Sequence, residues 1–227
     1  MAEKLIRYIR NTSCDDSREI CQPKVRPRLR PVEFTNIRPH FRGPYWFCPQ
    51  SRQAMKDFDQ YEFWEQSDYA NKSYVDAPLT DELLYSIETE LGYKLPTAYV
   101  ELARIQNGGF PKRTSHRTSE PTSWARDHVS INGIFAIGRS KTYGLCARIG
   151  SRFMMEEWGY PPIGVYFADC PSAGHDMLCL DYRDCGPQGE PTIVHVDQNS
   201  DYKITFVAKD FATFIRGLEL NDAFNDE

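Results

Sequence analysis

The sequence predicts an α+β fold, an antiparallel β-sheet flanked by helices, over residues 79–218. Between residues 163 and 208, four runs rich in Val, Ile, Tyr, Phe and Leu alternate with clusters of Gly, Pro, Asp and Asn, a pattern typical of consecutive strands. The connections between these runs are too short for crossover helices, so the strands are predicted to be antiparallel. Helical patterns precede and follow this region. We therefore expect one domain with about four to six strands and an N-terminal extension.

Two helices are predicted ahead of the sheet. Thr80 can cap the first, because its hydroxyl can accept from free backbone N–H groups and the next two residues are acidic. Gly92 ends this helix, Pro96 opens the second, and Asn107 follows the second helix. Both helices carry apolar residues at helical spacing, which indicates faces buried in the core. These residues are Leu83, Leu84, Ile87 and Leu91 in the first helix and Tyr99, Leu102 and Ile105 in the second.

The remaining elements are predicted from local patterns. Residues 110–127 are polar, contain prolines and lack a period, which predicts a loop. Residues 129–137 are expected to form a strand around Gly133, and residues 151–158 a short helix. Asp210 is expected to cap a closing helix whose apolar positions recur at helical spacing. Residues 219–227 form an acidic tail that we expect to be frayed.

Composition places the chain among globular proteins. Of its 227 residues, 26% are charged, 41% apolar and 13% aromatic, which separates it from disordered chains. No stretch approaches the roughly 18 apolar residues that a membrane span needs. The N-terminus has charges among its apolar residues and no continuous hydrophobic region, so we predict no secretory signal. The expected location is the cytoplasm, and we expect no membrane partner.

The net charge of −5 is unevenly distributed along the chain. Residues 1–45 carry ten Lys or Arg and five Asp or Glu, a net charge of +5, which leaves −10 for residues 46–227. Prolines at positions 23, 27, 31, 39 and 44 exclude a helix from the second half of this basic N-terminal arm. The arm could contact nucleic acid or a membrane through Arg26, Arg28 and Arg30. We favour an extended strap on the acidic body, because basic runs are usually solvated or paired, with apolar anchors at Val25, Leu29, Phe34 and Phe41.

Residues 46–78 are predicted to form a connecting segment that mixes aromatic with acidic residues. Dense aromatic side chains cannot all stay in water, so parts of this segment should fold against the main domain. Any aromatic residues that stay exposed would form a patch for a binding partner. Packing against the domain is the interpretation that we favour.

Cysteine spacing argues against both disulfides and a metal. The seven cysteines are odd in number and lack repeated spacing, which predicts reduced thiols. A possible metal set contains no Cys-x-x-Cys pair, and one of its cysteines lies in a predicted strand, where cysteine usually acts as a small apolar residue. We therefore predict no metal and no other cofactor. The set consists of Cys170, His175, Cys179, Cys185 and His195.

A catalytic set could be drawn from His175, Asp176, Asp181 and His195. A general base needs a hydrogen-bonded partner and a pocket, and the sequence shows neither. No nucleophile elbow, phosphate loop or dinucleotide fingerprint accompanies these residues. The His175–Asp176 pair follows Gly174 and is more simply explained as a loop that anchors itself by side-chain hydrogen bonds. We predict that the protein is not an enzyme, and a hydrolase is the least favoured alternative.

Residues 90–109, ELGYKLPTAYVELARIQNGG, contain a Leu-Gly pair that ends a helix, a Leu-Pro pair that opens the next, and an Asn-Gly-Gly that follows. This order of motifs resembles the signature of the SUKH superfamily. The similarity continues through VSINGIFAIG, EWGYPPIGVYFADCPSAGHDMLCLDY and GEPTIVHVDQNSDYKITFVAKDFATFI, and covers about Leu79 to Leu218. The usual Gly-Asp before the second core strand is replaced by Gly174-His175-Asp176, in which the inserted His leaves the carboxylate in place.

The resemblance implies an α+β domain that binds other proteins and has no shared catalytic residues. In bacteria the superfamily includes immunity proteins that neutralise toxins, many of them nucleases. In fungi it includes a regulator that links cell-wall assembly to signalling. We expect an immunity protein whose partner is a basic toxin domain, with a regulatory or scaffolding protein as the alternative. Nucleic acid is a less favoured partner.

The loops between the predicted strands carry many carboxylates, which we call the acidic rim. Strand ends and turns usually project side chains into solvent, and an acidic surface can occupy the positive cleft of a nuclease. Charged loops are also common on any globular protein. We predict that the rim binds the partner together with residues 57–65, while Leu178, Leu180, Ile193, Val194 and Val196 face inward or support the sheet. The rim consists of Asp169, Asp176, Asp181, Glu190, Asp197 and Asp201.

Overall fold

The computed structural model of the protein describes residues 62–224. The basic N-terminal arm, residues 46–61 of the connecting segment and the last three residues lie outside the described residues. The strap, nucleic-acid and membrane interpretations of the arm therefore stay predictions, as does the redox state of Cys14, Cys21 and Cys48.

The described residues contain five α-helices whose ends follow the local signals in the sequence. Thr80 Oγ1 accepts a hydrogen bond from the backbone N–H of Leu83, and Asp210 accepts one from Thr213, so both predicted N-caps are confirmed. Gly92 ends its helix in the left-handed conformation, with φ of 79°, which other residues adopt only at a cost. The helices are α1 (Asp68–Ser73), α2 (Asp81–Leu91), α3 (Thr97–Ile105), α4 (Ser151–Trp158) and α5 (Phe211–Arg216).

The main sheet has five strands, and every neighbouring pair in it is antiparallel. Its strand order is β3-β4-β5-β6-β7, so consecutive strands lie side by side as the short connections predicted. The α+β fold, an antiparallel sheet flanked by helices, is confirmed. The strands are β3 (Gly133–Ile134), β4 (Gly164–Asp169), β5 (Asp176–Asp181), β6 (Thr192–Asp197) and β7 (Lys203–Ala208).

A second, three-stranded sheet was not predicted. It consists of β1 (Ser115–Arg117), β2 (His128–Ser130) and β8 (Leu218–Glu219), in the order β2-β1-β8. Residues 110–127 are therefore not entirely a loop, and the single strand predicted over residues 129–137 is divided between the two sheets. The tail begins within β8 rather than after the last element. Strands this short are stabilised by partners distant in sequence, which local patterns do not reveal.

The core lies between the main sheet and the helices. Phe167 of β4 contacts Tyr99 of α3 at a ring distance of 5.9 Å, and Phe211 and Phe214 of α5 at 5.6 and 5.7 Å. These aromatic contacts join the helix before the sheet to the helix after it. Ile105, which was predicted to face the core, is 38% exposed at the last turn of α3. All five sheet residues predicted to face inward or support the sheet are buried: Leu178, Leu180, Ile193, Val194 and Val196.

The described part of the connecting segment packs onto this core. Phe63, Trp64 and Tyr74 are buried, as the density of aromatic residues predicted. The segment also pairs with the chain after α3, because Glu65 donates its backbone N–H to Phe110 O at 2.8 Å. Residues 62–78 are therefore built into the same body as the predicted domain.

Candidate partner-binding site

Four of the six carboxylates in the predicted acidic rim are buried. Asp169, Asp176, Asp181 and Asp197 are between 2% and 7% exposed, whereas Glu190 and Asp201 lie on the surface. The expectation that all six project into solvent is therefore wrong for these four. Each occupies the end of a strand, but neighbouring loops fold over that end and supply hydrogen-bond donors, which lets a carboxylate be buried.

Asp169 is held by donors from two distant segments. The Tyr74 hydroxyl donates to its two carboxylate oxygens at 2.9 and 3.0 Å, and Asn132 Nδ2 donates to Oδ2 at 3.0 Å. Burial raises the pKa of Asp169 to about 6, although the hydrogen bonds from Asn132 and Tyr74 act to lower it. The carboxyl thus links the connecting segment, the start of β3 and the end of β4.

Asp176 opens β5 and accepts a hydrogen bond from the Ser123 hydroxyl at 3.0 Å. Its cross-strand neighbour is Asp197, the last residue of β6. Nε2 of His195 lies 3.4 Å from the Asp176 carboxylate, on the same face of β6 as Asp197. Two buried carboxylates and an imidazole therefore lie together beneath the loop that contains Ser123.

The other two buried carboxylates organise turns. Asp197 accepts from the backbone N–H groups of Asn199 and Ser200 at 2.9 and 3.3 Å and so caps the 3₁₀ turn Gln198–Ser200. Desolvation acts to raise the pKa of Asp197, but hydrogen bonds from Ser200, Ser123 and the backbone lower it overall. Asp181 forms a bidentate pair with Arg183, whose Nη2 lies 2.6 Å from Oδ2.

The possible catalytic residues do not form a nucleophile–base pair. His195 is fully buried, and within residues 62–224 neither of its ring nitrogens makes a hydrogen bond. Ser123 donates its hydroxyl hydrogen bond to the Asp176 carboxylate rather than to an imidazole. His175 Nδ1 lies 3.0 Å from Gln198 Oε1, and Asp176 donates its backbone N–H to Ser172 Oγ at 2.8 Å. The prediction that this loop anchors itself by side-chain hydrogen bonds is confirmed.

The four cysteines of the described region are free thiols. Burial raises the pKa of Cys170 and Cys179 well above the ordinary range of a thiol, so both stay protonated and act as small apolar residues. Across residues 62–224, no three His, Cys, Asp or Glu side chains are grouped closely enough to hold a metal ion.

A surface cleft lies beside the three-stranded sheet. Its volume is about 380 Å³, which falls within the usual range of ligand sites. Its aromatic and proline walls are interrupted by small polar side chains and one carboxylate. The lining residues are Glu65, Phe110, Pro111, Thr114, Trp124, Ser130, Ile131, Asn132, Pro171 and Asn221.

Two of the buried carboxylates support the walls of this cleft. Asp169 accepts from Asn132, which lines the cleft, and from Tyr74, whose ring packs edge-on against Phe110 at 4.9 Å. Asp176 accepts from Ser123, the residue before the lining residue Trp124. These two acids are therefore buried behind residues of the cleft walls, whereas the sequence predicted them on the surface.

The wall that carries Trp124 is a closed, hydrogen-bonded loop. Thr122 Oγ1 accepts from the backbone N–H groups of Trp124 and Ala125, each at 3.2 Å, and Lys203 Nζ donates to Pro121 O at 3.0 Å. These bonds hold the loop against β7 while the Trp124 side chain stays 40% exposed.

We use the name aromatic–acidic surface for the aromatic and acidic residues of the cleft together with Tyr69, which lies near one of them, and its sequence neighbour Asp68. Tyr69 is 55% exposed and lies 6.1 Å from Phe110, while Glu65 and Asp68 are both exposed. The sequence assigned residues 57–65 to the partner surface but did not reveal Trp124, because Trp124 lies in a segment predicted to be a polar loop. A large aromatic residue within an otherwise polar loop was the available signal. The aromatic–acidic surface consists of Glu65, Asp68, Tyr69, Phe110 and Trp124.

The fold is that of an α+β domain in which helices flank an antiparallel sheet. Residues 78–217 match the family model described as the SMI1 / KNR4 family (SUKH-1). The chain belongs to this family, as the resemblance of its motifs predicted. Comparison with curated proteins gave no match. Glu65 and Asn221 lie outside the matched residues, so the cleft combines the family domain with segments on either side of it.

Domains of this family are protein-interaction modules and are generally non-catalytic. In the described part of the chain, no helix combines the length and apolar character needed to cross a membrane.

Proposed function

We propose that this protein is a cytoplasmic, non-catalytic binding domain that acts as an immunity protein against a basic, nuclease-type toxin. The observation that carries the proposal is the aromatic–acidic surface on a body of negative charge. Residues 62–224 contain 23 Asp or Glu and 15 Lys or Arg. Tyr and Trp are the residues that dominate binding energy at protein interfaces, and a negative field speeds encounter with a positive partner.

Glu190 and Asp201 are the two members of the predicted acidic rim that a partner can reach directly. We propose that they contribute long-range attraction and that the aromatic–acidic surface supplies the contact. Asp169, Asp176, Asp181 and Asp197 would act from beneath, by holding the loops that a partner touches. Contact of the whole rim with a partner stays a prediction.

The experiment looks for a toxin gene next to the gene of this protein and titrates the purified chain with the nuclease domain of that toxin, read by calorimetry and by nuclease activity. We expect a 1:1 complex that abolishes cleavage and an association rate that falls as salt is raised. A basic nuclease that remains fully active at saturating concentrations of this protein would contradict the immunity role.

The alternative is a regulatory or scaffolding protein, which one observation favours. The basic, proline-rich residues 1–45 lie outside the family match, and such segments commonly engage other proteins. This role requires stable binding of a partner without inhibition of any enzyme. A complex that forms equally well after removal of residues 1–45 would count against it.

A further inference from the structure

We propose that the cleft receives an arginine side chain of the partner, with its guanidinium paired to Glu65 and stacked on Trp124. The inference rests on the proposed function, because it assumes a basic protein partner. It adds the chemical group that the surface recognises and the two side chains that recognise it.

Charge at the cleft points to a cation. Glu65 is the single ionisable residue among those that line it, and within residues 62–224 its carboxylate has no hydrogen-bond or ion-pair partner. A second cleft, of about 330 Å³, contains Glu88 and Lys94, but these residues are already paired at 2.7 Å. The carboxylate of the first cleft is therefore available to an incoming positive group, whereas that of the second is already paired.

The walls favour arginine over lysine. A guanidinium is flat, stacks on the face of a tryptophan, and donates two parallel hydrogen bonds to a carboxylate. It is also more weakly hydrated than an ammonium group, so it enters a partly apolar cleft at lower cost. The faces of Trp124, Phe110, Pro111 and Pro171 supply such surroundings.

The site is pre-organised on both sides. The backbone hydrogen bond from Glu65 to Phe110 O holds the carboxylate-bearing wall, and the Thr122 and Ser123 bonds hold the loop of Trp124. A site whose walls are held by hydrogen bonds loses little conformational entropy on binding. Specificity for arginine can therefore arise from few contacts.

The test uses the full chain and three peptides, Ac-Gly-Arg-Gly-NH₂ and its lysine and citrulline analogues. Citrulline keeps the shape of arginine but carries no charge. The readout is the indole N–H signal of Trp124 in a ¹⁵N correlation spectrum, assigned by its loss in Trp124→Leu. We expect the arginine peptide to shift this signal with a Kd on the order of 1 mM, the lysine peptide to bind more weakly, and the citrulline peptide not to bind.

Variants separate the site from general electrostatics. Glu65→Gln and Trp124→Leu should each weaken binding of the arginine peptide by about fivefold or more. Glu190→Gln removes an exposed carboxylate elsewhere and should change the affinity for this peptide by less than about twofold. Thermal unfolding of each variant confirms that it is folded. No shift at about 20 mM arginine peptide, or a shift that Glu65→Gln leaves unchanged, overturns the inference.

The experiments can contradict the arginine site without contradicting the proposed function, and the proposed function without contradicting the arginine site. If a basic nuclease domain binds Glu65→Gln and Trp124→Leu as tightly as wild type, the arginine site is wrong and the immunity role stands. If the peptide binds as expected but no basic protein does, the immunity role is wrong and the arginine site stands. Dimerisation of the wild type that Trp124→Leu abolishes would identify a second copy as the occupant and overturn the inference.

Discussion

The Ser123 hydroxyl donates to the Asp176 carboxylate at 3.0 Å, across 53 positions of the sequence. This bond attaches the loop that carries Trp124 to Asp176, the first residue of β5. A buried carboxyl group thus positions an exposed residue, because it holds the loop that carries Trp124. Stability and the order of this loop are coupled at this point, because the same hydrogen bond satisfies a buried carboxyl group and holds the segment next to an exposed aromatic residue.

Ser123→Ala should reduce the free energy of unfolding by about 1–3 kcal/mol, because it leaves the Asp176 carboxylate without its hydroxyl donor. The loop should also open more often, so the backbone N–H of Trp124 should exchange faster with solvent. Urea unfolding and hydrogen exchange measure the two effects. Ser140→Ala is the control, since this serine is exposed and its side chain forms no hydrogen bond within the described residues. Equal stability of the two variants would contradict the role assigned to Ser123.

The raised pKa of Asp169 predicts how the stability of the protein depends on pH. Its folded-state pKa of about 6 lies above its ordinary value of 3.8, so between these values the folded chain binds more protons than the unfolded chain. The contribution of this group to stability is therefore greatest below about pH 4, falls as pH rises to about 6, and is then constant. Relative to Asp169→Asn, wild type should lose up to about 3 kcal/mol across this window. Parallel stability–pH curves for the two proteins, measured by urea unfolding, would refute the prediction.

Charge reversal should have different consequences at two members of the predicted rim. Asp197→Lys places an ammonium group at a position that is 2% exposed and removes the cap of the Gln198–Ser200 turn, so we expect a loss of about 4 kcal/mol or more. Glu190→Lys changes an exposed side chain and should alter stability by less than about 1 kcal/mol. Chemical denaturation of both variants distinguishes them. A stable, native Asp197→Lys variant would show that the side chain at position 197 is not buried at this end of β6.

Two glycines with positive φ allow the energetic cost of backbone strain to be distinguished from the cost of steric overlap. A Cβ at Gly108 would lie 2.6 Å from Tyr74 O and 2.8 Å from Ala136 N, whereas a Cβ at Gly92 would meet nothing within 4 Å. Gly92→Ala should therefore cost about 1 kcal/mol, the usual penalty of the left-handed conformation. Gly108→Ala should cost about 3 kcal/mol or more, because backbone atoms would have to move. Similar unfolding midpoints for the two variants would contradict this distinction.

Features that depend on neighbouring residues could be predicted from the sequence. The caps at Thr80 and Asp210 and the stop at Gly92 each depend on groups within a few positions, so local chemistry was sufficient. The antiparallel sheet followed from the same kind of evidence, because short connections exclude crossovers. The motifs between Leu79 and Leu218 also identified the family.

Burial of the acids could not be read from the sequence, because it depends on contacts between distant segments. Asp169 is separated from Tyr74 by 95 positions, and no local pattern shows that a tyrosine hydroxyl and an asparagine will satisfy its carboxylate. Strand ends with acidic residues look the same whether they face water or lie beneath a loop. Only the tertiary structure places Asp176 under Ser123 and brings Glu65, Phe110 and Trp124 around one cleft. The residue types available for binding were therefore evident from the sequence, while folding decided which of them reach the surface.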